Sequence, residues 1–109
     1  SKRFAGINAS SEDNINKLLN LLKNRTDRLA QFKTIISLHL NGKIKTFEGI
    51  CKGNIAYEKM GEFGFGYDPI FIPENKELSF GQMSMQDKNK IAHRGKAIKK
   101  LIDYLTNLY

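Results

Sequence analysis

The dipeptide Asn41-Gly42 constrains this chain more than any other feature. A two-residue hairpin turn needs positive φ at both central positions, and Asn-Gly meets that need at low steric cost. Before it, residues 28–40 alternate. Phe32, Ile36, Leu38 and Leu40 share one parity, as on one face of a strand. After it, residues 43–51 return as a second strand, with Ile44 and Phe47 as apolar markers. A chain that makes this turn pairs its two strands antiparallel. Gly49 and Gly53 in the return strand predict a bulge or a close backbone approach.

Helices surround the hairpin. Residues 14–23 read as one, because Ile15, Leu18, Leu19 and Leu22 recur at i, i+3, i+4 and i+7. Ser10 or Ser11 can cap its start, and Glu12 and Asp13 suit the positive first turn. Residues 70–72 continue extended to Pro73, and 74–76 form a turn. Ser84 with Asp87 signals the cap of a short helix reaching about residue 90. The last helix is predicted over 93–107. Ile98, Leu101, Ile102 and Leu105 form its apolar stripe, while Lys96, Lys99, Lys100 and Asp103 face away. The fold class is mixed α/β, a partly antiparallel sheet flanked by helices. At 109 residues, with no repeat and no linker, residues 1–109 make one domain.

Several classes of function are set aside by composition. No apolar run approaches the ~20 residues of a membrane span. No charged-then-apolar leader opens the chain, and Cys51 is the lone cysteine, so a reducing, cytoplasmic setting is expected. In that setting the acceptor-like patterns at Asn8 and Asn24 are chance matches. One cysteine with His39 and His93 makes no zinc set. The carboxylates are scattered, with no close pair for metal-assisted hydrolysis. Cys51 reads as a buried structural thiol and His39 as a half-exposed strand residue. The net charge of +7 favours an anionic partner: a nucleotide, a nucleic acid or an acidic surface.

Two stretches invite chemistry. Between Lys88 and Lys100 stand six cations and no acid. Lys96, Lys99 and Lys100 read as a solvated helix face. Lys88, His93 and Arg94 lie before or at the positive start of the last helix, where cations are unfavourable unless an anion or electron-rich group binds there. A helix start frayed into water explains them equally well. The second stretch is GEFGFGYDPIF, residues 61–71. As a strand it would put Phe63, Phe65 and Tyr67 on one face and leave glycine backbone open on the other. A planar ligand could stack there, or the rings could be core. Asp68 before Pro69 is expected to be extended and positioned. The glycines at 61, 64 and 66 do not have dinucleotide-fingerprint spacing, and there is no P-loop.

SKRFAG near the start, GFGYDPIF in the middle and KNKIAHRGKAIKKL near the end resemble, in order and spacing, the inosine triphosphate pyrophosphatase (Ham1-like) family. The resemblance covers the whole chain. It implies hydrolysis of non-canonical purine nucleotides (ITP, dITP, XTP) to monophosphate and pyrophosphate, with magnesium, by a homodimer. Residue by residue, it implies that Phe65, Gly66, Tyr67 and Asp68 form the base-binding segment, with the Phe65 ring stacked on the purine. Lys88 aligns with a substrate-contacting lysine, and His93 and Arg94 with the pair that reads the purine edge. Ala92 stands where the family often has serine. Phe63 and Phe71 are left as packing residues. The family's phosphate loop and acidic metal ligands have no counterpart here, so the chain is expected to be the C-terminal half of the fold, without catalytic or metal-binding residues of its own. A small basic nucleic-acid-binding module and a ligand-free dimerisation unit are the alternatives. Steeply salt-dependent binding to nucleic acid would favour the first of these.

Overall fold

The computed structural model describes residues 4–108. Helix α1 spans Ser11–Leu22. Ser10 is its N-cap: the hydroxyl accepts from Asp13 N at 3.1 Å and the Asp13 carboxylate accepts from Ser10 N at 3.0 Å. This reciprocal pair satisfies two of the donors a helix start leaves open. Strand β1 (Leu29–Leu40) and strand β2 (Lys43–Ile55) form a long hairpin. Asn41 and Gly42 have φ of 53° and 77°, the turn their sequence demands. Strand β3, only Phe71–Pro73, pairs antiparallel with the far end of β2, giving the order β1-β2-β3.

The β1–β2 register runs unbroken from Leu40↔Lys43 to Leu29↔Asn54, so no bulge interrupts it. Gly49 serves close approach instead. A Cβ there would lie 1.9 Å from the His93 carbonyl oxygen and 2.6 Å from Ala97 N. The missing side chain lets helix α3 (His93–Leu108) rest directly on β2. Its contact line therefore runs through His93, Ala97 and Tyr104. Ala97 is fully buried, and the Tyr104 ring packs 5.4 Å from Phe47. Ile98 and Ile102 of the expected stripe are instead 42% and 54% exposed. Ile44 is also exposed. It lies three residues from Phe47, and an odd separation puts the two on opposite faces of a strand. Of the outward lysines, Lys96 donates to Ile50 O at 2.9 Å and Lys100 to Glu48 O at 2.6 Å, folding back onto the open edge of β2.

The core lies under the hairpin's inner face. Phe32, Phe71 and Phe80 form a triangle with centroids 4.5–6.0 Å apart, joined by Ile15, Cys51, Ile55 and Ile70. Cys51 is buried, and burial raises its thiol pKa, as for an inert packing group. Arg28, 5% exposed, ties helix to sheet: it donates to Leu22 O at the end of α1, to Ile55 O at 2.8 Å and to Ala56 O at 2.7 Å. Its guanidinium carbon sits 4.1 Å from the Tyr57 ring centroid.

Candidate functional site

The stretch of residues 61–71 is a looped segment, not the expected strand. Gly61, Gly64 and Gly66 have φ of 86°, 80° and 59°, a left-handed conformation that breaks any extended run. The rings consequently scatter. Phe71 is buried in the core, as expected of a packing residue. Phe63, also expected to pack, is 67% exposed, because Gly64 turns the chain outward beside it. Phe65 is 61% exposed at the mouth of a cavity.

Asp68 organises this loop. It opens a short 3-10 turn, Asp68–Ile70, rather than an extended segment. Its position comes from contacts: Oδ2 accepts from Phe65 N at 3.0 Å and from Lys88 Nζ at 2.6 Å. Both side chains of the ion pair are largely removed from water, 6% exposed for Asp68 and 12% for Lys88. Gly64 makes room for the carboxylate. A Cβ there would lie 2.2 Å from Asp68 Oδ2.

The cations come from the second half of the site. Ser84 caps helix α2, Met85–Ile91, by accepting from Asp87 N. Lys88 belongs to the last turn of α2, the end where a helix favours a cation. Ala92 is extended (ψ 149°), which ends α2 and restarts the chain as α3 at His93. The break sets His93 and Arg94 in the first turn of α3. Lys88 Nζ then lies 4.6 Å from the Phe65 ring centroid, and the Arg94 guanidinium 5.6 Å from it. Cations over an aromatic face are attracted by its quadrupole.

His93 is held from two sides. Its ring stacks on Phe32 at 5.0 Å and 25°, and Nδ1 is hydrogen-bonded to the Thr34 hydroxyl. Burial, then the charges of Arg94 and Lys88, push its pKa below the usual 6.5. A base whose folded pKa is depressed takes a proton in the unfolded chain first. The stability tied to neutral His93 is therefore present in full above about pH 6.5 and is lost as pH falls through the lowered folded value. The urea midpoint should fall between pH 7 and pH 5, and more steeply than in His93→Gln. Equal slopes in the two proteins would refute this.

All seven residues marked from sequence, Phe65, Gly66, Tyr67, Asp68, Lys88, His93 and Arg94, line one cavity of about 600 Å³. Phe32, Met85, Asn89, Ala92, Gly95 and Ile98 complete its wall. None of these six is marked as a site residue by the sequence, nor is Thr34 behind His93. A polar residue at the inward parity of β1 was the available signal for Thr34. No group of three or more His, Cys, Asp or Glu among the described residues could hold a metal ion, and the Asp68 carboxylate is already engaged by Lys88 and Phe65 N. The described residues thus do not fit a magnesium site.

Residues 1–104 match the Ham1 family. The chain is 53% identical over 106 residues to the dITP/XTP pyrophosphatase of Flavobacterium johnsoniae, covering 97% of this chain and 55% of that protein. It is 52% identical over 106 residues to the dITP/XTP pyrophosphatase of Christiangramia forsetii, covering 97% and 56%. Its fold overlays the Ham1 protein of Staphylococcus aureus with a TM-score of 0.94 at 45% identity, covering all of this chain and 57% of the other. The Ham1 protein of Coxiella burnetii gives 0.90 at 37% identity, covering 97% and 56%. The chain thus spans about half the length of the curated relatives it matches. A family match over nearly every residue, with the same backbone arrangement in solved relatives, means that this chain belongs to the Ham1 family.

Proposed function

We propose that this chain is the base-recognition part of a dITP/XTP pyrophosphatase, working in the cytoplasm as a homodimer. One observation carries the reading: an exposed aromatic face, Phe65, stands beside Lys88, His93 and Arg94 in a single cavity. A purine stacks on Phe65, a contact worth ~1–3 kcal/mol and indifferent to the base. Arg94 supplies the discrimination. Its guanidinium is a donor-only fork, suited to the O6 and N7 acceptors of hypoxanthine and xanthine. Adenine presents an amino donor in place of O6, and two donors facing each other in a closed site are strongly disfavoured. This contact sets 6-oxopurines apart from adenine; that the substrates are ITP, dITP and XTP rather than guanine nucleotides rests on the family. Cleavage of the phosphate chain, with any magnesium it uses, falls to residues other than those described, and no chemical step is assigned to the cavity.

The nucleic-acid reading is weakened by Lys96 and Lys100, whose ammonium groups are taken up by the carbonyls of β2. The test joins the chain to the remaining part of a relative and follows pyrophosphate release. ITP should be hydrolysed well and ATP poorly. Arg94→Ala should lower kcat/KM for ITP by roughly 10–100-fold, the value of a good bidentate contact, and change ATP little. An equal loss on both nucleotides would contradict base readout.

A further inference from the structure

We propose that Thr34 is a positioning residue: its hydroxyl accepts from Nδ1–H of His93 and so leaves Nε2 as a bare acceptor turned to the cavity. Three observations lead there. Thr34 Oγ1 and His93 Nδ1 are hydrogen-bonded, and His93 lines the cavity with no partner at Nε2 among the described residues. Phe32, two residues from Thr34 on the same face of β1, stacks on the imidazole and fixes its plane. The remaining charged neighbours of the ring are Lys88 and Arg94, countered by Asp68. A neutral imidazole has one N–H and one lone pair. Beside two cations the lone pair is favoured on the cavity side and the proton on the sheet side, against a hydroxyl free to accept it.

The consequence for ligand choice rests on the base-recognition reading above. A 6-oxopurine carries N1–H next to O6. Adenine carries a lone pair at N1 next to its amino group. With Nε2 accepting and Arg94 donating, both contacts match the first pattern and both clash with the second. Guanine shares the first pattern, so this pair sorts 6-oxopurines from adenine and leaves guanine to other contacts.

The test reads the tautomer directly. Long-range proton–nitrogen correlation spectra of the ¹⁵N-histidine-labelled chain at pH 8 distinguish Nδ1–H from Nε2–H. Wild type should show the Nδ1–H pattern at His93. Thr34→Val, which removes the hydroxyl at nearly unchanged shape, should move it toward Nε2–H, and Thr34→Ser should keep it. Inosine monophosphate affinity should fall about tenfold in Thr34→Val, the upper range for one hydrogen bond, and recover in Thr34→Ser, while adenosine monophosphate, whose N1 lone pair no longer meets one at Nε2, should bind no more weakly in Thr34→Val than in wild type. An Nε2–H pattern in wild type overturns the proposal. So does an unchanged pattern in Thr34→Val. If that variant does not fold, the wild-type spectrum decides. Failure of wild type to bind the inosine nucleotide would count against base recognition, and the tautomer would then decide the role of Thr34 by itself.

Discussion

Asp68→Ala should destabilise the chain by about 3–5 kcal/mol, the usual consequence of removing one partner from a buried ion pair. The arithmetic follows from what is left behind. Lys88, 12% exposed, keeps its charge and loses its carboxylate, while Phe65 N loses its acceptor. A chain of 109 residues has a total stability of only about 5–16 kcal/mol, so the loss is a large share of it. The damage should concentrate where Asp68 holds two elements together, the loop carrying Phe65 and the last turn of α2. Adding Lys88→Met to Asp68→Ala should recover about 1 kcal/mol or more, because the stranded charge is gone and contacting residues couple on this scale. Urea unfolding measures both. A single-mutant loss below about 1 kcal/mol would show that the pair is screened by water and that the loop is held by other means.

Gly49→Ala, the addition of one methyl group, should cost about 3 kcal/mol and lower Tm by on the order of 15 °C. The added carbon would need the space 1.9 Å from the His93 carbonyl oxygen, which belongs to backbone and cannot rotate aside. Helix α3 would have to lift from β2, taking His93 and Arg94 with it. Stability and base recognition should therefore fall together. Calorimetry checks the first and nucleotide titration the second. A Tm within about 3 °C of wild type would mean that α3 has a second seat on the sheet.

These two positions also show what local pattern reveals and what it hides. The hairpin was legible because its cause is local: Asn41-Gly42 sets the turn, and strand parity sets the inner face. The Ser84–Asp87 cap was legible for the same reason. The stripe of α3 was misplaced onto Ile98 and Ile102 because its register depends on Gly49, more than forty residues earlier in the chain. Phe63, Phe65 and Tyr67 alternate like a strand, yet three left-handed glycines turn that alternation into a loop, and φ is not visible in hydrophobic spacing. Lys88, His93 and Arg94 were suspect on electrostatic grounds, but physics left them balanced against a frayed helix start. Their place beside Phe65 came from the family resemblance and is seen only once α2 and α3 are folded. Thr34 stands out only as a polar residue at the inward parity of β1, a signal that names no partner until α3 is folded over it.

Arg28 ties α1 to the sheet through the backbone carbonyls of Leu22, Ile55 and Ala56, acceptors that do not titrate. At the cavity His93 gains a charge as pH falls, beside two cations already in place. Acidification should dissect the fold in order, with the cavity loosening while the hinge of α1 stays tied. A ligand site that softens ahead of its scaffold can empty in acid and refill on neutralisation without the chain having to refold.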